Sequence, residues 1–270
     1  MNTEYFTDDS IIRRVYRERA LALAGPRALL MQAAHPLAVA GLLAHTDSLE
    51  RPYERLARTA EVMSTITFGP RADADRATRH VRAMHRRVSG RLSRPAGRFE
   101  AGTPYRADDP ELLMWILYTL VDSAIVVYQL YVASLDEDEQ ESFWDDYRTV
   151  GRLFGLRARD MPATLDGLRD YGRTMLENGT LVVTPWARNR AREIVLEPPV
   201  PIYLRPLVEA VNFVTVALLP APIREQYGFF PLPPPVLRRA LVAGGAEYLK
   251  RAIVPFAPAR LRLVPAARAA

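Results

Sequence analysis

Cysteine is absent from the 270-residue chain. That excludes disulfides, thiolate catalysis, iron–sulfur clusters and thiolate-held zinc or haem. Lysine is nearly absent: Lys250 stands alone, and the basic residues are otherwise arginine. Strand signals are scarce, with residues 181–184 the only short candidate. The motif of a zinc protease, His-Glu-x-x-His, does not occur, nor does Gly-x-Ser-x-Gly, nor a Walker loop. The Glu-x-x-His pairs of a di-iron bundle are missing too. The opening MNTEYFTDDS carries acids and no apolar core, so it does not read as a secretory leader, and a cytoplasmic location is the expectation.

What is present is an ordinary globular composition, 49% hydrophobic and 25% charged, enough for a sizeable core with room for a buried cofactor. The net charge is +5. Arginines are scattered and mixed with Asp and Glu, which argues against nucleic-acid binding. The apolar run 20–44 is interrupted by Gly25, Pro26, Arg27, Gln32, His35 and Pro36, so it reads as a core helix rather than a membrane span. No linker divides the chain and no repeat is visible. One helical domain over 1–270 is expected, with its core at about 10–180 and looser helices at 200–252.

Helical periodicity is common. Asp8, Asp9 and Ser10 cap a first helix over 11–23, and Pro26 begins a second toward residue 44, bent at Pro36. Pro52 opens a helix to about 67, stopped by Phe68-Gly69-Pro70. A helix over 72–92 follows, then a Pro- and Gly-rich loop over 93–107. Asp108, Asp109 and Pro110 start the longest helix, to about 135. Further helices are expected at 137–154, 162–178, 203–219 and 233–252.

Histidine is the metal-ligating residue this composition leaves, and there are four: His35, His45, His80 and His85. His85 lies within the 72–92 helix with Val81 at i−4, Val88 at i+3 and Met84 adjacent. One imidazole nitrogen for iron and apolar neighbours for a macrocycle would suit a haem. Taken alone, the same pattern is better explained by a half-buried histidine bonded to a carbonyl. His80 sits about 140° away round the helix and would not share the site. In the helix before, Arg55 and Thr59 share a face, with Arg58 one turn from Arg55. A charged donor beside a hydroxyl could polarise an oxygen species; a solvated basic face explains it more simply. His45 with Asp47 reads as a turn cluster. Trp115, Tyr118 and Asp122 run down one face at i, i+3, i+7. Asp122 there needs an arginine or histidine partner, because a lone buried carboxylate is costly.

The order of these features is more informative than any one. The stretch from Arg27 through His35-Pro36 to Gly41 is followed by His45, and then by Arg55, Arg58 and Thr59. Phe68-Gly69, His85, Val88 and Gly90 come next, then Tyr105, Ala107, Asp109-Pro110, Leu113 and Trp115, and finally Leu120, Asp122 and Ser123. This ordered set resembles the rubber-oxygenase-like family, which contains latex-clearing protein and the MpaB oxygenase. The similarity runs from about 10 to 180 and more loosely to about 250.

The resemblance implies an all-α fold with a globin-related core around a haem pocket, one haem b, and oxidation of a hydrophobic small molecule with dioxygen. Relatives cleave carbon–carbon double bonds in isoprenoid chains. His85 matches the proximal iron ligand, with Met84, Val81 and Val88 as cofactor neighbours. Arg55 and Thr59 match distal residues. Arg58 falls where the rubber oxygenase has a lysine able to cap the iron; an arginine keeps its proton and ligates poorly. Tyr118 stands where many relatives have a histidine. Asp122 is a candidate partner for the second nitrogen of His85, and Arg27, Arg79, Arg82 and Arg86 are candidates for the haem propionates. Two rivals stay open. One is a haem-binding sensor or carrier without turnover. The other is a haem-free binding module that touches a membrane without spanning it, suggested by the basic amphipathic end at 237–262.

Overall fold

A computed structural model describes residues 3–43, 52–229, 233–248, 250–251 and 258–268. Local capping chemistry sets many of its helix ends. Helix α1 spans Ile11–Tyr16 and is followed by a 3-10 turn over Arg19–Leu23. The expected single helix over 11–23 is therefore broken. Helix α2 covers Ala24–Ala33 and α3 covers Pro36–Leu43, so Pro36 starts a new helix after His35 rather than bending a continuous one. Helices α4 (Pro52–Phe68) and α5 (Arg71–His85) follow.

The strand pair β1 (Ser89–Arg91) and β2 (Pro104–Arg106) is antiparallel, with Gly90 opposite Tyr105. This pair ends α5 seven residues before the sequence pattern expected. A side chain at Gly90 would strike the Tyr105 hydroxyl at 2.4 Å, so glycine is what lets the ring lie there. The candidate strand at 181–184 is irregular chain.

Helix α6 (Pro110–Tyr131) starts on Asp109, whose carboxylate accepts from Glu111 N at 2.8 Å. Helix α7 (Glu137–Phe154) has a reciprocal cap: Asp136 accepts from Glu139 N, and Glu139 accepts from Asp136 N. It stops at Gly155, whose φ of 105° suits glycine. Helix α8 (Leu165–Glu177) is capped by Thr164 and α9 (Pro185–Ala191) by Thr184. A π-turn over Arg192–Leu196 precedes α10 (Arg205–Ala217), α11 (Ala221–Tyr227), α12 (Pro235–Tyr248) and the short α13 (Ala259–Arg262). Among the described residues the fold is all-α apart from the two short strands.

Helix α6 is the central strut. It is apolar and long enough to cross a bilayer by length and composition, yet most of it is buried against neighbouring helices. Its antiparallel neighbour is α2. Arg27 Nη1 lies 2.7 Å from both Asp122 Oδ2 and Ser123 Oγ, and Gln32 Nε2 donates to Thr119 Oγ1 at 2.9 Å. Trp115, Trp144, Phe143 and Tyr147 fill the space between α6 and α7 without solvent contact. Each such aromatic side chain contributes on the order of 3 kcal/mol of burial free energy.

Candidate functional site

Helices α4 and α5 form a hairpin around Gly69-Pro70. The closed end is pinned by Arg13, which is 5% exposed. Its Nε donates to Thr67 O at 2.9 Å, and its two terminal nitrogens reach Asp8 and Glu4, each at 2.6 Å. The sequence reading did not single out this latch, because it joins the N-terminal segment to the end of α4, far along the chain.

The candidate residues lie away from that end. By helical rise, Thr59 lies about 14 Å from the last residue of α4, and His85 lies about 21 Å from the first of α5. Thr59 thus stands near the middle of α4, about 7 Å short of the level of His85 along the hairpin. Ala57 to Glu61 are exposed in succession, so every face of that turn of α4 is open. One turn further on, Met63, Ile66 and Thr67 are buried. Arg55 lies in the backbone of α4, but its side chain is outside the described residues, as is all of His45.

His85 is the last residue of α5, not an interior one, and it is half-buried. It belongs to the inward stripe Ala74, Thr78, Val81, His85, which grades from fully buried to half-buried toward the open end. Val81 lies on that stripe. Met84 turns away and is 49% exposed, and Val88 lies past the helix, its N–H donating to His85 O at 3.0 Å. Of the expected apolar neighbours, Val81 alone shares the inward helical face with His85.

Beside His85 opens a cleft of about 140 Å³, whose lining includes Arg82, Arg86, Asp108, Leu113 and Phe154. Small-molecule pockets usually run to about 300–1,000 Å³, so this cleft suits a carboxylate-sized group rather than a whole macrocycle. Two arginines on one wall supply the matching charge. Asp108 is occupied by Arg106, at 2.9 and 3.0 Å, and that contact holds its carboxyl below the usual range. The four arginines named as propionate candidates stand in different places. Arg82 and Arg86 line the cleft; Arg79 is exposed outside the lining, and Arg27 is committed to α6. Leu113 and Phe154 reach the cleft from α6 and α7, a placement no local pattern carried.

Asp122 has its arginine, and it is Arg27 rather than His85 that it pairs with. It lies nine residues along α6 from Leu113, about 14 Å from the cleft by helical rise. Tyr118 stacks on Trp115 at 5.4 Å and meets Tyr171 edge-on at 5.8 Å. Gly172 makes room for its hydroxyl, since a side chain there would meet it at 2.2 Å. Burial first, and the charge of Asp122 second, push the Tyr118 pKa up, so it keeps its proton.

His35 is buried and packs against Phe99 with ring centroids 5.6 Å apart. Burial and the charge of Arg98 lower its pKa to about 4, so it is neutral at ordinary pH. His80 is exposed. Among the described residues, no three His, Asp or Glu side chains converge as they would around a protein-held metal ion. His85, Arg82 and Arg86 are the side chains here that could hold a haem, the imidazole at the iron and the arginines at the propionates.

With this geometry in place, comparison with known families decides the class. The model of the catalytic domain of ER-bound oxygenase mpaB/B′ and rubber oxygenase matches residues 13–251. The chain belongs to this family. A search of curated proteins and a search of solved structures returned no match. The mpaB/rubber-oxygenase family consists of oxygenase catalytic domains, whose general reactants are dioxygen and a small-molecule substrate. The match spans the α4–α5 hairpin, α6 and the helices from there through α12, so it takes in the site described above.

Proposed function

We propose that this protein is a haem b-dependent oxygenase acting on a hydrophobic, isoprenoid-like small molecule. The observation that carries the reading is the open end of the α4–α5 hairpin. There one half-buried imidazole, His85, ends an inward-facing stripe beside a cleft walled by Arg82 and Arg86. Haem b, when bound, supplies the iron for oxidation by dioxygen. His85 would hold the iron through one ring nitrogen. Arg82 and Arg86 would pair with the propionates. Arg55 and Thr59, with Arg58 beside them, would place donors where negative charge develops on oxygen. Arginine is a poor metal ligand, so Arg58 would leave the distal side open where a lysine could close it. Val81 would contribute apolar contact on the His85 face. The exposed Met84 faces elsewhere, and its part in holding the cofactor would require contact from outside the stripe.

A test is dioxygen uptake by purified, haem-loaded protein given a linear terpenoid. Steady uptake with oxidised product is expected, falling about 10²- to 10³-fold in Arg55→Ala and less in Thr59→Val, the range seen when a preorganised donor is removed. Haem-loaded protein that binds the terpenoid yet forms no product over many equivalents would favour the sensor or carrier instead.

A further inference from the structure

We infer that the outer face of the C-terminal helical layer docks on an anionic phospholipid surface. Two independent observations coincide there. Of the large apolar side chains exposed among the described residues, all but Met84 lie between Ile202 and Tyr248. Residues 200–270 also carry nine basic and three acidic side chains, a net +6, whereas the whole chain carries +5. The 199 residues before them therefore sum to about neutrality.

The fold puts the two features on one layer. Helices α10 and α12 pack against each other, and α12 packs on α6. Along α12, Ala246 faces inward and is 1% exposed, while Leu237, Leu241 and Tyr248 follow at i, i+4, i+11 and are all more than half exposed. The turn before α10 adds Ile202, Tyr203 and Leu204 in succession, 86%, 75% and 36% exposed. Arg205 is exposed beside that turn, and Arg238 flanks Leu237. Burial, and then the like charge of nearby Arg238, lower the pKa of Arg224, a sign that positive charge is crowded on this side. Apolar side chains that enter the headgroup boundary, tyrosines at its level and cations toward anionic lipid are how an amphipathic helix lies on a bilayer.

The two alternatives fit less well. A two-fold contact with a second copy would set one strongly basic face against itself. Helix α12 has 14 residues, about 21 Å long, against a hydrocarbon core of about 30 Å, so it lies on a bilayer rather than across it. This inference does not depend on the oxygenase reading.

The test is co-sedimentation of the full chain with phosphatidylcholine vesicles, with and without phosphatidylglycerol. Binding is expected only with phosphatidylglycerol, and is expected to be released by high salt. Arg205→Glu with Arg238→Glu, and separately Leu237→Ser with Leu241→Ser, should each weaken it at least about tenfold while the circular-dichroism melt stays put. No binding to anionic vesicles at low salt would overturn the proposal, and so would equal binding to both vesicle types. A dimer by light scattering that the serine substitutions split, without vesicle binding, would assign the face to a second copy instead.

Discussion

The first 199 residues and the last 71 solve different problems with the same secondary structure. In the first, Trp115 of α6 and Phe143, Trp144 and Tyr147 of α7 are sealed, and charges such as Arg13 and Arg27 enter the interior with partners assigned to their nitrogens. In the second, apolar side chains stand in solvent and the positive charge is largely uncompensated. A helix buried on one face and bare on the other, like α12, is held by less burial free energy than α6, which is covered on several sides. The difference assigns stability to the first region and surface contact to the second, with the candidate site in the first.

Substitutions can break or sharpen that contrast. Trp144→Ala should cost the most, about 3–5 kcal/mol by chemical denaturation, because it empties a site with no solvent contact and removes the bond from Nε1 to Pro162 O. Arg27→Leu should cost about 3 kcal/mol. That is the lower end of the range for breaking a buried pair, because Asp122 is 29% exposed and water can relieve it. The His35 effect depends on pH. Its folded pKa of about 4 lies below the unfolded value, so the unfolded chain takes up a proton first as pH falls. Stability attributable to His35 is complete above about pH 6.5 and declines toward pH 4, by about 2 kcal/mol at pH 5. The pH 7 to pH 5 loss in wild type should exceed that in His35→Asn by this amount. Leu241→Ser, on the bare face of α12, should change stability by no more than about 0.5 kcal/mol. A large loss there would mean that the C-terminal layer belongs to the core after all.

Much of the fold was legible where the cause is local. The Asp136–Glu139 cap and Gly155 bracket α7 at the residues the sequence suggests. Asp109-Pro110 does the same for the start of α6. The end of α5 was not legible, because it is set by Tyr105 crossing Gly90, a contact between chain segments fifteen residues apart. The apolar run at 20–44 drew attention as the most membrane-like stretch, while the helix that meets that description is α6. At the candidate site, residue type and order alone single out His85 and the Arg58–Thr59 turn. They do not rank Arg82 and Arg86 above Arg27 and Arg79. That ranking depends on α6 and α7 arriving from elsewhere in the chain to form the cleft, and on α2 packing along α6 so that Arg27 meets Asp122.

The most direct test of the central claim is the visible absorption spectrum of the purified protein beside that of His85→Ala. The account predicts a Soret band at about one haem per chain in wild type, lost or shifted in the variant, with unchanged far-ultraviolet circular dichroism. Wild-type protein that is colourless and does not take up added hemin, or a spectrum that His85→Ala leaves untouched, would contradict it.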